Sequence, residues 1–279
     1  MNSVITIESD RGDRLANTLW GLEQNTKQPK EWVIVHMTKS DLKITSDKFP
    51  VKQVFLPESA KELPLAAARN LGARTATGRH LIFLDVDCIP EKNFVSSYDT
   101  TLKSQACLAS GRVKFLPQVI KNPKKADPLR SYDLLRQIAE DRSSRQPLAK
   151  GLADEQRHSS LHWSLNFAAT RRCFEKIGGF DDAYKGFGGD EVDFEMQAKQ
   201  KGIAVLKNND PTVYHQFHES YEPPVHYLKS IVSNANYFFS KWQVWPFEDY
   251  LREFEKLDLI QRYPGRILIN DLSYRAMAR

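Results

Sequence analysis

Leu81-Ile82-Phe83-Leu84-Asp85-Val86-Asp87 is an apolar run that leads straight into two carboxylates set one residue apart. In extended chain, residues i and i+2 point to the same side. Asp85 and Asp87 are therefore expected to face one point in space, as a hard divalent cation requires. Oxygen donors of this kind suit Mg2+ or Mn2+, and either ion can bridge to phosphate oxygens. The Asp-x-Asp triplet also occurs by chance as a polar turn, and the strand before it is what gives it weight. Working outward, Val4–Ile7, Trp32–Val35, Val51–Leu56 and His80–Leu84 read as short strands. Between them Leu15, Leu19 and Leu22 recur at helical spacing, and Leu65–Ala76 is an alanine-rich helix stopped at Gly78. Strands alternating with helices predict an α/β fold with a doubly wound, mostly parallel sheet. Such sheets bind ligands beyond the carboxyl ends of their strands, and Asp85 and Asp87 lie at one of these ends.

Past residue 100 the pattern loosens. Ala106–Val113 reads as a strand and Asp127–Ser143 as a helix opened by Asp-Pro. Ser143–Ser160 is polar and aperiodic, and suits a surface loop better than an active-site lid. Asp190–Lys201 is a helix closed by Gly202, followed by short strands at Ile203–Leu206 and Thr212–Tyr214. From His226 onward the chain reads as helical, with seven aromatic residues from Tyr237 to Tyr250.

Composition narrows the class. With 279 residues, 41% hydrophobic and 27% charged, the chain is globular and long enough to bury a sizeable core without staples. Forty basic against 35 acidic residues leave a net charge of +5. That favours anionic ligands mildly, and lacks the dense Lys/Arg blocks of a nucleic-acid binder. Cys88, Cys107 and Cys173 form no metal-type or disulfide spacing, which points to a reducing compartment. No run approaches the ~18 apolar residues of a membrane span. The N-terminus shows no basic start followed by an apolar block. A soluble, cytoplasmic protein is expected.

Other signals follow Asp85 and Asp87. Gly178-Gly179-Phe180-Asp181 precedes Gly188-Gly189-Asp190-Glu191-Val192-Asp193, whose three acids fall in the first turn of a helix. Complementation of the helix dipole accounts for one or two of those acids; it accounts less readily for paired glycines. In Tyr214-His215-Gln216-Phe217-His218, either histidine could be a metal ligand. Arg69-Asn70 could reach a phosphate or a base, and Arg11 and Arg14 could steer a diphosphate, although solvated surface charge explains these residues equally well. Cys88 is rejected as a ligand, because two carboxylates and one thiol make an inconsistent set.

In this order, the pieces resemble the metal-dependent glycosyltransferases of the GT-A fold. Ala68-Arg69-Asn70-x-Gly72-x-x-x-Ala76-x-Gly78 followed by Leu81-x-Phe83-Leu84-Asp85-x-Asp87 is similar to a segment found throughout family 2. Gly178-Gly179-Phe180-Asp181 through Gly188-Gly189-Asp190-Glu191 is similar to the GGFD…WGGED region of β4-galactosyltransferases, polypeptide N-acetylgalactosaminyltransferases and chondroitin-polymerase-type enzymes. The resemblance covers about residues 3–220. It implies a Rossmann-like sheet flanked by helices over residues 1–222, with a nucleotide-binding half at 1–100, an acceptor and catalytic half at 101–222, and a helical extension over 223–279. It further implies that Asp85 contacts nucleotide or metal, that Asp87 and His215 ligate Mn2+ or Mg2+, and that Glu191 is the general base of an inverting reaction. Asp190 takes the position that binds acceptor or donor sugar, and Trp163 and Asn166 fall where donor-binding residues lie. The donor would be a nucleotide-sugar, UDP-linked in most resembling families, and the acceptor a carbohydrate or glycoconjugate.

The chain departs from the family pattern in several places. His36-Met37 stand where an Asp usually holds the base, so Glu8 is the candidate substitute. Phe187 replaces the Trp, and the acid pair reads Asp-Glu rather than Glu-Asp. Two alternatives to a transferase stay open. A nucleotidyltransferase making sugar nucleotides would carry a glycine-rich basic loop after the first strand, and Glu8–Arg14 has one glycine. A non-catalytic nucleotide-sugar or glycan-binding module would keep the same residues. The aromatic C-terminal stretch suits core packing better than an acceptor platform, and peripheral membrane contact through it is weaker still because nearby basic residues are not clustered.

Overall fold

The computed structural model describes residues 1–56, 62–118, 129–141, 165–219, 221–270 and 272. In chain order, the first half contains β1 (Asn2–Glu8), α1 (Gly12–Glu23), β2 (Glu31–His36), β3 (Val51–Phe55), α2 (Leu65–Thr75), β4 (His80–Leu84), β5 (Cys88–Pro90), α3 (Phe94–Ser104) and β6 (Cys107–Phe115). The second contains α4 (Tyr132–Ile138), β7 (Asn166–Thr170), α5 (Arg171–Ile177), α6 (Asp190–Gln200), β8 (Ala204–His215), α7 (Leu228–Trp242), α8 (Glu248–Lys256), β9 (Ile260–Tyr263) and β10 (Arg266–Ile269).

Eight strands form one sheet in the order β3-β2-β1-β4-β7-β6-β8-β5. Pairs β3–β2, β2–β1, β1–β4 and β6–β8 are parallel. β7 runs antiparallel to both neighbours, and β5 antiparallel to β8. The 3-2-1-4 order is that of a doubly wound sheet, with its reversal between β1 and β4, where a crevice opens at the carboxyl ends. β1, β2 and β4 are buried along their whole length, as strands covered on both faces are, and the buried polar residues they carry, such as Ser3, Thr6, Glu8 and Glu31, find hydrogen-bond partners. α2 lies tight against β1 because residue 72 is glycine: a Cβ there would stand 2.4 Å from Ile5 Cγ2.

Three sequence expectations are corrected. The two short strands expected at 203–206 and 212–214 are one strand, β8, whose register against β6 shifts between Ser110 and Arg112. Pro211 sits in the excess segment, where its missing N–H costs no ladder bond. The helix expected over 127–143 is, among the described residues, the shorter α4, because the chain beyond it turns extended and Glu140 bridges Phe115. The region after His226 is not wholly helical: β9 and β10 form an antiparallel hairpin around Pro264-Gly265. The aperiodic stretch at 143–160 lies outside the described residues. No helix among the described residues is long and apolar enough to cross a membrane.

Candidate active site

The carboxyl ends of β1, β2 and β4 bring Glu8, His36 and Asp85 to one edge of the sheet, and chain geometry there assembles the first cluster. Immediately after Asp87 the chain forms β5, which pairs antiparallel with the end of β8 so that Cys88 lies opposite His215. The Gln216 N–H donates to the Asp87 carbonyl at 2.8 Å. This register sets His215 Nε2 3.4 Å from Asp87 Oδ1 and His218 Nε2 3.6 Å from Asp87 Oδ2. Among the described residues these three offer ligand atoms within 4.8 Å of one another and could hold a metal ion. The fit is supported by Asp87 itself, which is 1% exposed and whose buried Oδ1 accepts no hydrogen bond. Burial pushes His215 below the ordinary histidine range, with His218, Arg14 and Arg11 acting in the same direction against the pull of Asp87. A neutral imidazole is what a cation needs.

The segment carrying His218 is braced from α1. Arg14 Nη1 donates to the Phe217 carbonyl at 3.1 Å, and Asn17 donates to Gln216 Oε1 at 3.0 Å. An open cavity of about 340 Å3, lined by Phe217, His218, Glu219 and Tyr221, adjoins the cluster. Asp85 stays outside the three-residue cluster. Burial raises its carboxyl well above the usual range, and Asp87 and Glu191 add to that while Arg69 and Arg11 oppose it.

The second acidic motif is clamped to the first by aromatic packing. Phe83, two residues before Asp85, stacks on Phe167 at 4.6 Å and meets Phe180 edge-on at 5.8 Å. Phe180 stacks in turn on Phe194 of α6 at 4.3 Å. Such ring pairs add about 0.5–1.5 kcal/mol each beyond area burial. Asn70 completes the clamp: its Nδ2 donates to the Phe180 carbonyl at 2.8 Å and its Oδ1 accepts the Phe180 N–H at 2.9 Å.

Arg69, beside it on α2, is 4% exposed. Its Nη1 donates to Asp190 and its Nη2 to Glu191, forking between the two acids at the start of α6. Arg69 and Asn70, open from sequence between a ligand contact and solvated surface charge, are buried and hold the second motif. Glu191 keeps 21% side-chain exposure, whereas Asp190 keeps 2%.

The glycine pair has its own reason. Gly188 and Gly189 adopt φ of +89° and +99°, and a Cβ on Gly189 would stand 2.7 Å from the Tyr184 ring. The loop is thereby pressed onto α7, where Asn234 Nδ2 donates to the Lys185 and Gly188 carbonyls at 2.8 and 2.7 Å. Lys241 pairs with both Asp181 and Asp193, and Trp242 Nε1 donates to Asp193 at 2.8 Å. Tyr237, Phe238 and Trp242 thus pack around Tyr184 on the loop that leads into α6. Gly189→Ala is expected to destabilise the fold by about 1–3 kcal/mol, from left-handed backbone and a ring clash together. Urea unfolding of the variant checks it, and an unchanged midpoint would mean that the loop can repack.

Two other sequence candidates are enclosed by protein partners. Glu8 is 2% exposed: His36 Nδ1 donates to one oxygen at 2.7 Å, and the Arg11 N–H to the other at 3.0 Å. Burial alone would raise its pKa, but these bonds hold it below the ordinary value. Both oxygens therefore already have protein partners, and Glu8 is not free to read a base. Asn166 is fully buried, with Oδ1 accepting from Tyr98 at 2.6 Å and Nδ2 donating to the Arg112 carbonyl at 3.4 Å. Its amide is used inside the sheet. Trp163 lies outside the described residues. Cys88 is buried, its thiol pushed up by burial and by Asp87 and Asp85, in keeping with its rejection as a ligand.

Comparison with known proteins agrees with this geometry. The profile of a family described as "Glycosyltransferase like family 2" matches residues 21–216. Validoxylamine A glucosyltransferase of Streptomyces hygroscopicus subsp. limoneus is 24% identical over 231 residues, 75% of this chain and 50% of that protein. The chain thus spans about half the length of that curated relative. Among solved structures, the mannosyltransferase PcManGT from Pyrobaculum calidifontis, in complex with GDP-Man and Mn2+, superposes with a TM-score of 0.57 at 16% identity. That match covers 90% of this chain and 68% of that one. GalNAc-T7 with UDP, GalNAc and Mn2+ gives a TM-score of 0.54 at 17% identity, over 92% of this chain and 54% of that one. These structural likenesses are ones of fold.

Proposed function

The chain belongs to the glycosyltransferase-like family 2 and has the GT-A fold, and from that premise we propose that it moves a sugar from a nucleotide-sugar, a UDP-sugar first, to an acceptor hydroxyl with inversion. The observation that carries the reading is a pair of assemblies linked through Asp85, whose carboxyl feels both: Asp87 with His215 and His218, and Glu191 aligned by Arg69. The acceptor is a carbohydrate or glycoconjugate, as in the resembling families.

Asp87, His215 and His218 would hold the divalent cation. Two imidazoles beside one carboxylate suit Mn2+ better than Mg2+, which prefers oxygen throughout. When bound, the ion supplies positive charge against the negative charge that develops on the departing diphosphate. The acceptor oxygen forms a bond to the anomeric carbon as the bond from that carbon to the diphosphate oxygen breaks. The acceptor's proton passes to Glu191, which must lie within about 3 Å of it in the complex. Glu191 stands on the first turn of α6, where the helix dipole favours its ionised form. Residues 1–100 would hold the nucleotide, 101–222 the acceptor and base, and 223–279 would brace the catalytic loop. The three buried free thiols support a reducing, cytoplasmic setting.

The test is nucleotide release from UDP-, GDP- and dTDP-sugars in Mn2+, without and with candidate acceptors. Release from one donor is expected, abolished by chelator and by Asp87→Ala. Nucleotide binding without release from any donor would favour a binding module, and the absence of both binding and release would overturn the reading.

A further inference from the structure

Arg11 holds one of the two Asp87 oxygens beside the proposed metal. It caps the start of α1 directly after β1, and its backbone is pinned by the Glu8 carboxylate, itself fixed by His36. The side chain is different: it is 41% exposed, and its Nη1 donates to Asp87 Oδ2 at 2.9 Å. That oxygen is the one nearest His218 Nε2. Arg11 therefore spans the crevice between the ends of β1 and β4 and lends its charge to a carboxylate that is almost wholly buried. A divalent ion held by Oδ1 and both imidazoles would lie beside the guanidinium on Oδ2, and two positive charges compete for one carboxylate. Arg14, one turn along, is tied to backbone carbonyls of the His218 segment, which leaves Arg11 as the arm with freedom to move.

We infer that Arg11 is an exchangeable counter-charge: it neutralises Asp87 while the site is empty, and it is displaced onto the donor's diphosphate when a divalent cation binds. The exchange couples the two ligands. Without a diphosphate, the cation must evict Arg11 into water; with one, the displaced guanidinium gains a new anionic partner. Glu8 serves the same device by anchoring the arm's base, a use for this buried acid other than reading the nucleobase. The inference rests on the metal assignment proposed above.

Mn2+ binding measured by calorimetry, with inorganic diphosphate as a base-independent probe, tests it. Arg11→Met is expected to bind Mn2+ alone about fivefold more tightly than wild type, and to bind diphosphate at saturating Mn2+ about fivefold more weakly. Arg11→Lys, which keeps the charge, should restore much of the opposition to Mn2+. A residue that merely supports the fold would not move the two affinities in opposite directions. Mn2+ affinity that is unchanged or weaker in Arg11→Met overturns the exchange while leaving the metal site standing. Mn2+ uptake by wild type no greater than by Asp87→Ala overturns the metal site, and the exchange with it.

Discussion

Glu191→Gln is expected to lower kcat by about 10^2- to 10^4-fold while leaving the donor KM within about twofold. The amide matches the carboxylate in shape, and its oxygen can still accept from Arg69 Nη2, so the start of α6 should stay in place. What it lacks is a basic site for the acceptor's proton. Single-turnover transfer with the donor identified by the release assay separates the two effects. Normal transfer by Glu191→Gln would show that another group is the base. A larger loss in Asp190→Asn would exchange the roles of the pair. That outcome has a structural counterargument: Asp190 is nearly inaccessible and faces Arg69, while Glu191 keeps an exposed edge.

Arg69→Met should cost about 3–5 kcal/mol of folding stability, the largest single-site effect expected outside the chemistry. Its guanidinium is buried, lies 5.4 Å over the Phe180 ring and serves both acids, so its loss strands Asp190 as an uncompensated buried charge. The penalty has a predictable pH dependence. Burial already raises the Asp190 carboxyl above its ordinary value while Arg69 opposes it; without Arg69 it rises further, so the added penalty is absent below the ordinary carboxylate range near ~4 and grows as pH climbs through the raised value. Urea midpoints measured across that range should converge with wild type at the acid end. Arg69→Met combined with Asp190→Asn and Glu191→Gln should recover a good part of the loss, because no charge is then left unpaired. A single variant as stable as wild type at neutral pH would mean that water reaches Asp190 freely.

Local pattern determined much of this protein. The apolar run ending at Asp85 and Asp87, the alanine-rich helix before it and the glycine pairs before Asp190 each express their structure within one element. Periodicity and φ-permissive residues act over a few positions, so they can be read in the chain. The Pro264-Gly265 pair was a legible hairpin signal of the same kind, obscured by the helical aromatic run before it.

The site itself was decided at longer range. His215 and His218 meet Asp87 because β5 pairs with β8 across 123 to 127 residues of chain, and no spacing within either segment contains that pairing. Arg69 finds Asp190 and Glu191 from 121 and 122 residues away. Glu8 and Asn166 are donor-contact candidates through the family resemblance, yet each is enclosed by partners from other elements. Burial and pairing of this sort come from how the sheet orders its strands and how the helices lie on it. Sequence carries which side chains can do chemistry; tertiary packing removes water from some, supplies counter-charges to others, and so selects which of them remain to act.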